Sequence, residues 1–355
     1  PVNGNGSFSK ALAKSLPKRW KGSIYPDAVD LYDNATCQVQ VVRSICEWSG
    51  ANRREYSIYK AYLDLIQKAE HFIYIETQFF VSSLAGSAVE NKIAEAILDR
   101  IKQAYHKKEV FRVVIVIPAT PDTNFRTSAG IRYLMKFQYD TICRKDNSIL
   151  QQVAKLGTNP REYISFHSLR SWADLDGKIV SDQIYVHSKL MIVDDRVAII
   201  GSANINDRSM RGDRDSEIGV VIKDTEMVDA QMNTRQYKAG KFSHALRTQL
   251  WAEHLGIPFY EANAISDPIR SMDLWQRTSF QNTSIFNQVF PGIPKNSIKT
   301  ISQLNSLQDQ DPVQVDKLQN IKGHLIDFPV DFLVDEDLSP SAKNSALRVD
   351  PTLFT

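Results

Sequence analysis

Residues 185–207, YVHSKLMIVDDRVAIIGSANIND, carry a histidine and a lysine two positions apart, followed by a small polar turn. An imidazole such as that of His187 can attack phosphorus or carry the proton of a leaving group. The ammonium of Lys189 can offset the charge of phosphate oxygens, to which Ser202 and Asn204 can donate hydrogen bonds. This set of groups is suited to chemistry on a phosphodiester.

Alternating apolar residues predict how these groups are positioned. In a strand over residues 185–193, positions two apart share a face, so His187 and Lys189 are neighbours on one surface. Residues 194–196 supply a turn, and the apolar run 197–200 returns as a second strand that ends at the small polar residues. A core histidine beside a surface lysine would explain a bare H-x-K pair better than a site would, so the pair alone identifies nothing.

The composition is that of an ordinary globular protein. Of 355 residues, 43% are apolar and 24% are charged, and the formal net charge of +2 is too small to indicate a nucleic-acid binder by itself. The three cysteines are widely spaced, which favours reduced thiols over disulfides or zinc. No apolar run is long enough for a membrane span or a signal peptide. The chain begins with Pro1, from which we expect a fragment or a processed product.

The succession of elements predicts an α/β fold with a mixed sheet sandwiched between helices, as one of two lobes. Apolar spacing predicts helices over residues 56–70, 88–107, 126–144, 148–156, 224–236 and 241–255. Strands are expected over 71–81, 111–119, 161–169, 184–193, 197–201 and 217–222.

Three segments are expected along the chain. Residues 1–36 are a basic, poorly ordered lead-in whose lysines at 10, 14 and 18 either lie on an anionic membrane surface or are simply solvated. Residues 37–260 form the catalytic lobe. Residues 261–355 are polar with a few apolar pieces, and we expect an irregular wrap packed on the lobe.

The full spacing His187-x-Lys189-(x)4-Asp194-(x)6-Gly201-Ser202-x-Asn204 matches the HKD signature of the phospholipase D superfamily. The following residues, GSANINDRSMRGDRDSE at 201–217, resemble the sequence after the second HKD motif of eukaryotic enzymes of the PX/PH type. Upstream, IYIETQFF at 73–80 is similar to the family element IYIENQFF, with Thr77 in place of the usual asparagine. The resemblance covers residues 37–355 and identifies the C-terminal half of such a catalytic region.

The resemblance implies hydrolysis of phosphatidylcholine to phosphatidic acid and choline, or transfer of the phosphatidyl group to a primary alcohol, through a phosphohistidine. His187 would protonate choline and then activate water, with Glu217 orienting its ring. Lys189, Ser202 and Asn204 would hold the phosphoryl oxygens, and Gln78 would contact the substrate. Asp194 belongs to the signature, although its place in the turn suggests that it fixes the hairpin. No metal is required for this chemistry.

The signature occurs once in the chain, whereas family enzymes use two per active site. His106-Lys107-Lys108 begins like a second copy, but Val113 stands where the aspartate belongs. Either another half of a longer enzyme supplies the nucleophilic histidine, which Pro1 and the resemblance favour, or two copies of the chain pair as a homodimeric phosphodiesterase or nuclease. A non-catalytic membrane-binding module is the alternative from another class.

The resemblance also implies the partners and the location. We expect a phospholipid membrane and the N-terminal half of the same enzyme as partners, with small GTPases and phosphoinositide as activators at sites that the sequence does not locate. Nucleic acid is not expected, because no long basic stripe is present. The implied location is cytoplasmic, peripheral on membrane surfaces.

Overall fold

The structure is a computed structural model that describes residues 37–50, 53–86, 88–121, 123–307 and 310–339. The basic lead-in predicted for residues 1–36 lies outside the described residues, as do residues 340–355. All of the candidate site residues, from Gln78 to Glu217, lie inside the described ranges.

Strands form one large sheet and a separate hairpin. The strands are β1 (Cys37–Ile45), β2 (Glu55–Tyr56), β3 (Phe72–Glu76), β4 (Arg112–Val116), β5 (Ile164–Leu175), β6 (Lys178–Ile184), β7 (Leu190–Val193), β8 (Val197–Gly201), β9 (Glu217–Asp224), β10 (Met227–Met232), β11 (Arg235–Gly240) and β12 (Leu325–Asp327). The sheet order is β12-β5-β4-β3-β7-β8-β9-β1-β2, and β6 pairs with β5. The β3–β4 and β4–β5 pairs are parallel and the other pairs are antiparallel, so the predicted mixed sheet is confirmed.

Helices cover the sheet. They are α1 (Glu47–Gly50), α2 (Ser57–Lys68), α3 (Ile93–Lys107), α4 (Ala129–Tyr139), α5 (Ile149–Ala154), α6 (Asp207–Met210), α7 (Lys241–Leu255), α8 (Met272–Val289) and α9 (Ile301–Leu307). In the part of the chain that the structure describes, no helix is long and apolar enough to cross a membrane. Within the same ranges, no three His, Cys, Asp or Glu side chains are grouped as metal ligands.

The apolar core lies on both faces of the sheet, as the alternation of side chains along β3 illustrates. Ile73 and Ile75 pack in the cluster that includes the buried faces of α2 and α3. Tyr74 packs in the opposite cluster against Trp251 of α7 and Trp275 of α8, with ring centroids 5.8 and 6.2 Å away. The sheet is therefore enclosed by helices on its two sides, as predicted.

The helix predicted over residues 224–236 is wrong, because this segment forms the β10–β11 hairpin. Asn233 and Thr234 occupy its two-residue turn with φ of 54° and 66°. That left-handed conformation matches the twist of two-residue hairpins and ends any helix. Side chains along β10 alternate between exposed and partly buried, which is the period of a strand on a surface.

The segment after residue 260 is more regular than expected. It forms the long helix α8, and its strand β12 pairs with β5 at the edge of the main sheet. Met272 and Leu325 belong to the same apolar cluster as residues of β3 and α7. Part of the predicted wrap therefore lies inside the core of the lobe.

Candidate active site

The residues of the signature other than Asp194 lie where four strand ends converge. β3 ends at Glu76, which pairs with Leu190 at the start of β7. β8 ends at Gly201, which pairs with Gly219 near the start of β9. Ligand sites are commonly found at such edges of α/β sheets, where loops carry polar side chains out of the ladder.

The strand that carries the signature is shorter than predicted. β7 begins at Leu190, so His187 and Lys189 lie in an extended segment before it rather than within the ladder. The predicted alternation holds inside the strand: Met191 packs in the cluster on one face of the sheet and Ile192 in the cluster on the other. Leaving the ladder frees the two polar residues from the fixed geometry of strand pairing.

His187 presents its ring to solvent. Its side chain is exposed, and the ring is stacked at 26° to the ring of Tyr185, with centroids 6.4 Å apart. Among the described residues, none forms a hydrogen bond with either ring nitrogen of His187. Both nitrogens are therefore available to a substrate or to a group supplied by another chain.

Lys189 is 8% exposed and points its ammonium back toward His187. The Nζ atom donates to the carbonyl oxygen of His187 at 2.6 Å and to Oε1 of Gln78 at 3.2 Å. Gln78 in turn donates from Nε2 to the hydroxyl of Tyr185 at 3.0 Å. Burial lowers the pKa of Lys189 to about 8, and the charge of Glu217 acts in the opposite direction.

Ser202 follows Gly201, where β8 lies close to β9. A Cβ added to Gly201 would lie 2.6 Å from the carbonyl oxygen of Ile218, so only glycine permits this approach. The Oγ atom of Ser202 accepts from the backbone N of Ile218 at 3.1 Å and donates to Oε2 of Glu217. Ser209 donates to Oε1 of Glu217 at 2.7 Å, so both carboxylate oxygens of Glu217 are hydrogen-bonded to serine hydroxyls.

Asn204 follows in the same turn. Its backbone carbonyl accepts from the N–H of Asn206, whose side chain caps α6 by accepting from Ser209 N at 3.1 Å. The side-chain oxygen of Asn204 is buried without a hydrogen-bond partner in the described residues. A buried polar atom without a partner is uncommon, and this acceptor can be satisfied only by a group that donates a hydrogen bond.

Two predicted site residues form no hydrogen bond with the ring of His187 in the part of the chain that the structure describes. Glu217 contacts Ser202 and Ser209, and its predicted role in orienting His187 stays a prediction.

Asp194 lies at the far end of β7. Five residues at strand spacing place it on the order of 15 Å along the chain from Lys189. Its carboxylate accepts from the backbone N–H groups of residues 70, 71 and 72 at 2.7, 2.8 and 2.8 Å. This position joins the hairpin to the start of β3, and it is not beside the other predicted site residues.

The sequence did not single out a buried group beneath the site. Glu76 accepts from the hydroxyl of Ser188 at 2.6 Å, from the hydroxyl of Tyr74 at 2.6 Å and from Nε2 of His254 at 2.9 Å. Glu76 belongs to the upstream element that resembles the family, which was the available signal. His254 lies on α7 without a local pattern that distinguishes it from other helix residues.

The matching family model is described as phospholipase D, and it matches residues 23–182 and 170–344. The chain therefore belongs to the phospholipase D family. It is 43% identical over 361 residues to phospholipase D zeta 1 of Arabidopsis thaliana, covering 90% of this chain and 33% of that protein. It is 41% identical to phospholipase D1 of Homo sapiens, covering 89% of this chain and 31% of that protein. It is 41% identical to phospholipase D2 of Bos taurus, covering 95% and 40%.

The family predicted from the signature is thus confirmed. The chain spans about a third of the length of the first two of these relatives and 40% of the third. The comparisons do not establish which of two HKD motifs this chain carries, so that assignment stays a prediction.

Proposed function

We propose that this chain supplies one half of a phospholipase D active site that hydrolyses phosphatidylcholine to phosphatidic acid and choline. The observation that carries the proposal is the placement of His187. Its ring is exposed and has no hydrogen-bond partner in the described residues, while the Lys189 ammonium, which bonds to the His187 carbonyl, lies close by. Ser202 and Asn204 follow the neighbouring strand end, and the side-chain amide nitrogen of Asn204 is a donor suited to phosphoryl oxygens.

In the proposed reaction, a histidine from another half-site attacks phosphorus, and a phosphorus–nitrogen bond forms. The bond from phosphorus to the choline oxygen breaks, and protonated His187 donates its proton to that oxygen as choline leaves. His187, now neutral, then accepts a proton from water, whose oxygen attacks phosphorus and releases the nucleophilic histidine. A primary alcohol in place of water gives transfer of the phosphatidyl group.

Electrostatics support the same roles. The charge on the transferred phosphoryl group is largest on its non-bridging oxygens, so a preorganised ammonium next to them lowers the barrier. Lys189 is preorganised because its Nζ atom is fixed by Gln78 and by a backbone carbonyl. Burial also makes the ammonium a stronger partner for an anion than it would be in water.

The half-site is proposed because one signature supplies one histidine. An apolar strip on the sheet, beside the site, is consistent with a lobe that packs against another half. Val39, Val41 and Ile218 are 59%, 62% and 62% exposed, and they lie on one face because Val41 pairs with Val220 and Arg43 with Ile218. Exposed apolar patches of this kind mark interfaces more often than free surface.

Location and control belong to the same proposal. Phosphatidylcholine resides in bilayers, so the enzyme acts peripherally at a cytoplasmic membrane surface. Phosphoinositide and small GTPases are proposed as activators by resemblance to the PX/PH-type enzymes. The basic residues 10–21 would favour anionic lipids, and they lie outside the described residues.

The test is turnover of phosphatidylcholine in vesicles that contain a primary alcohol. The chain is assayed alone, with its native mass measured in the same sample, and again with a separately produced first half that carries an HKD motif. We expect phosphatidyl-alcohol only after the halves are combined, and none with His187→Asn. Turnover by a pure dimer of this chain would replace the half-site with a self-sufficient dimer, and absence of turnover in every combination would refute the phospholipase assignment.

A further inference from the structure

The segment between β6 and β7 carries the reactive residues but has little backbone support. Five residues separate Ile184 at the end of β6 from Leu190 at the start of β7, and they are outside the strand ladder. The carbonyl of Lys189 accepts from Gly201 N at 3.1 Å at one end of the segment. The position of the other residues of the segment depends on side-chain contacts. Among these residues, Ser188 lies directly between His187 and Lys189 in the sequence.

Ser188 is fastened to a carboxylate that is buried under the site. Its Oγ atom donates to Oε2 of Glu76 at 2.6 Å. Glu76 is 6% exposed and is the last residue of β3, whose position is fixed by pairing with β4 and β7. A rigid strand therefore holds the centre of the reactive segment through one short hydrogen bond.

The other oxygen of Glu76 is held from the opposite side. Oε1 accepts from the hydroxyl of Tyr74 at 2.6 Å and from Nε2 of His254 at 2.9 Å. Burial raises the pKa of Glu76, but hydrogen bonds and charge from His254, with bonds from Ser188 and Tyr74, outweigh it and hold the pKa below its ordinary value. Glu76 therefore stays ionised and acts as an acceptor for Ser188.

His254 is itself fixed in position. It is 5% exposed in the last turn of α7, and its carbonyl accepts from His324 N at 2.9 Å. Gly256 follows with φ of 68°, and a Cβ there would lie 2.4 Å from the backbone N of Gly323. The tight crossing of the two chain segments leaves His254 little freedom to move away from Glu76.

A buried carboxylate and histidine are weak evidence for stability, because removing two polar groups from water offsets much of what their pairing contributes. The Glu76–His254 pair lies next to the segment that carries the reactive residues, so it can position them. We infer that Glu76 is a positioning residue for His187 and Lys189, acting through the hydroxyl of Ser188, and that His254 holds its carboxylate in place. This inference rests on the proposed function, since it assigns a role within that same site.

The sharpest test compares Ser188→Ala with Ser188→Thr in the assembled enzyme. Ser188 is exposed, so both variants should fold, and urea unfolding measures the stability that the alanine loses with its hydrogen bond to the buried Glu76. The alanine removes the hydrogen bond to Glu76, and a small misplacement of reacting groups lowers kcat by roughly 10- to 100-fold. KM should stay within about twofold, because no group that binds the substrate equally in the ground state and the transition state is removed.

Threonine keeps the hydroxyl and should restore kcat. Ser306→Ala, on the exposed side of α9, is the matched control.

A double-mutant cycle tests the longer connection. Ser188 and His254 both bond to Glu76 and are not bonded to each other, so independent roles predict additive losses of kcat. Positioning through Glu76 predicts that Ser188→Ala combined with His254→Gln loses little more than the worse single variant. Additive losses, a change in KM alone, or equal kcat in the alanine and threonine variants would overturn the inference.

A second readout separates this inference from the proposed function. Ring-proton resonances of His187 are assigned by their disappearance in His187→Asn and compared in the same assembly. Positioning predicts a shifted or broadened resonance in Ser188→Ala and a wild-type resonance in Ser188→Thr. If the wild-type enzyme does not turn over phosphatidylcholine, the proposed function fails, while this resonance still decides the positioning role. An unchanged resonance in Ser188→Ala would refute it.

Discussion

The two ends of β7 carry the two parts of the HKD signature and are built in opposite ways. At the turn, Asp194 accepts three backbone N–H bonds, and Asp195 is buried in an ion pair with Arg247 at 2.6 Å. At the other end, the ring of His187 has no hydrogen-bond partner in the described residues. Lys189 there uses two of the three donors of its ammonium.

The contrast separates stability from function within one motif. Buried polar groups are nearly always hydrogen-bonded in native proteins, and the turn follows that rule with charged acceptors. At the site end, the buried side-chain oxygen of Asn204 departs from this rule, and the exposed ring of His187 keeps its nitrogens free for a substrate. We therefore expect substitutions at the two ends to affect different measurements.

The largest effect is expected from His187→Asn. This change removes the group that transfers protons, and we expect turnover of phosphatidylcholine to fall by about 10³-fold or more. The unfolding temperature should not change, because the side chain is exposed. His106→Asn is the matched control, since His106 is also exposed and begins the incomplete H-x-K. Retained turnover in His187→Asn would remove this residue from the mechanism.

At the turn end, Asp194→Ala should act on stability. It leaves three N–H groups at the start of β3 without their acceptor, and we expect the free energy of unfolding to fall by about 3 kcal/mol. Asp194→Asn keeps the oxygen that accepts two of these bonds and should lose about half as much. Urea unfolding measures both. Turnover per folded molecule should be close to wild type, and its loss without a loss of stability would place Asp194 in the site.

Local patterns in the sequence were sufficient to predict most of the helices and strands. The helices expected over 56–70 and 241–255 are confirmed by α2 and α7, and the strand expected over 111–119 by β4. The signature also predicts that His187, Lys189 and Ser202 belong to one site, and this assignment stays a prediction. These features depend on periodicity and on fixed spacing, which are visible in a single chain.

The rest depends on contacts between distant residues. Glu76 and His254 are 178 positions apart, and no spacing rule joins them. The start of β7 at Leu190 also depends on register with Glu76 across the sheet. The β10–β11 hairpin was missed because Asn233 and Thr234 adopt positive φ without a glycine to signal it. Tertiary pairing decided each of these cases where the local pattern was ambiguous.

A smaller effect, and one of opposite sign, is expected from Lys189→Met. Burial lowers the pKa of Lys189 to about 8, so the folded protein holds this proton less tightly than the unfolded chain does. Lys189 therefore reduces stability below about pH 8, and stability recovers as the pH rises from there toward the ordinary value for lysine. Methionine should raise the free energy of unfolding at pH 7 by about 1 kcal/mol while turnover is lost.

Urea unfolding at neutral and at alkaline pH measures this gain. It should shrink at the higher pH, where wild-type Lys189 is already neutral in both states. Lys107→Met is the control, because its side chain is 66% exposed and should change stability little at either pH. Equal stability of Lys189→Met and wild type at neutral pH would mean that the buried Lys189 ammonium does not lower the free energy of unfolding. The site end of β7 would then not differ from the turn end in this respect.

A last prediction concerns the pH dependence of substrate binding. If only protonated Lys189 holds the phosphoryl oxygens, KM should be flat below the pKa of about 8 and rise above it, approaching about tenfold per pH unit. Lys189→Arg keeps its charge throughout this range, so its KM should stay flat even if its absolute value is higher, because guanidinium geometry differs. A wild-type KM that does not rise above pH 8 would mean that the substrate meets Lys189 in its neutral form, and that Ser202 and Asn204 hold the phosphoryl oxygens without it.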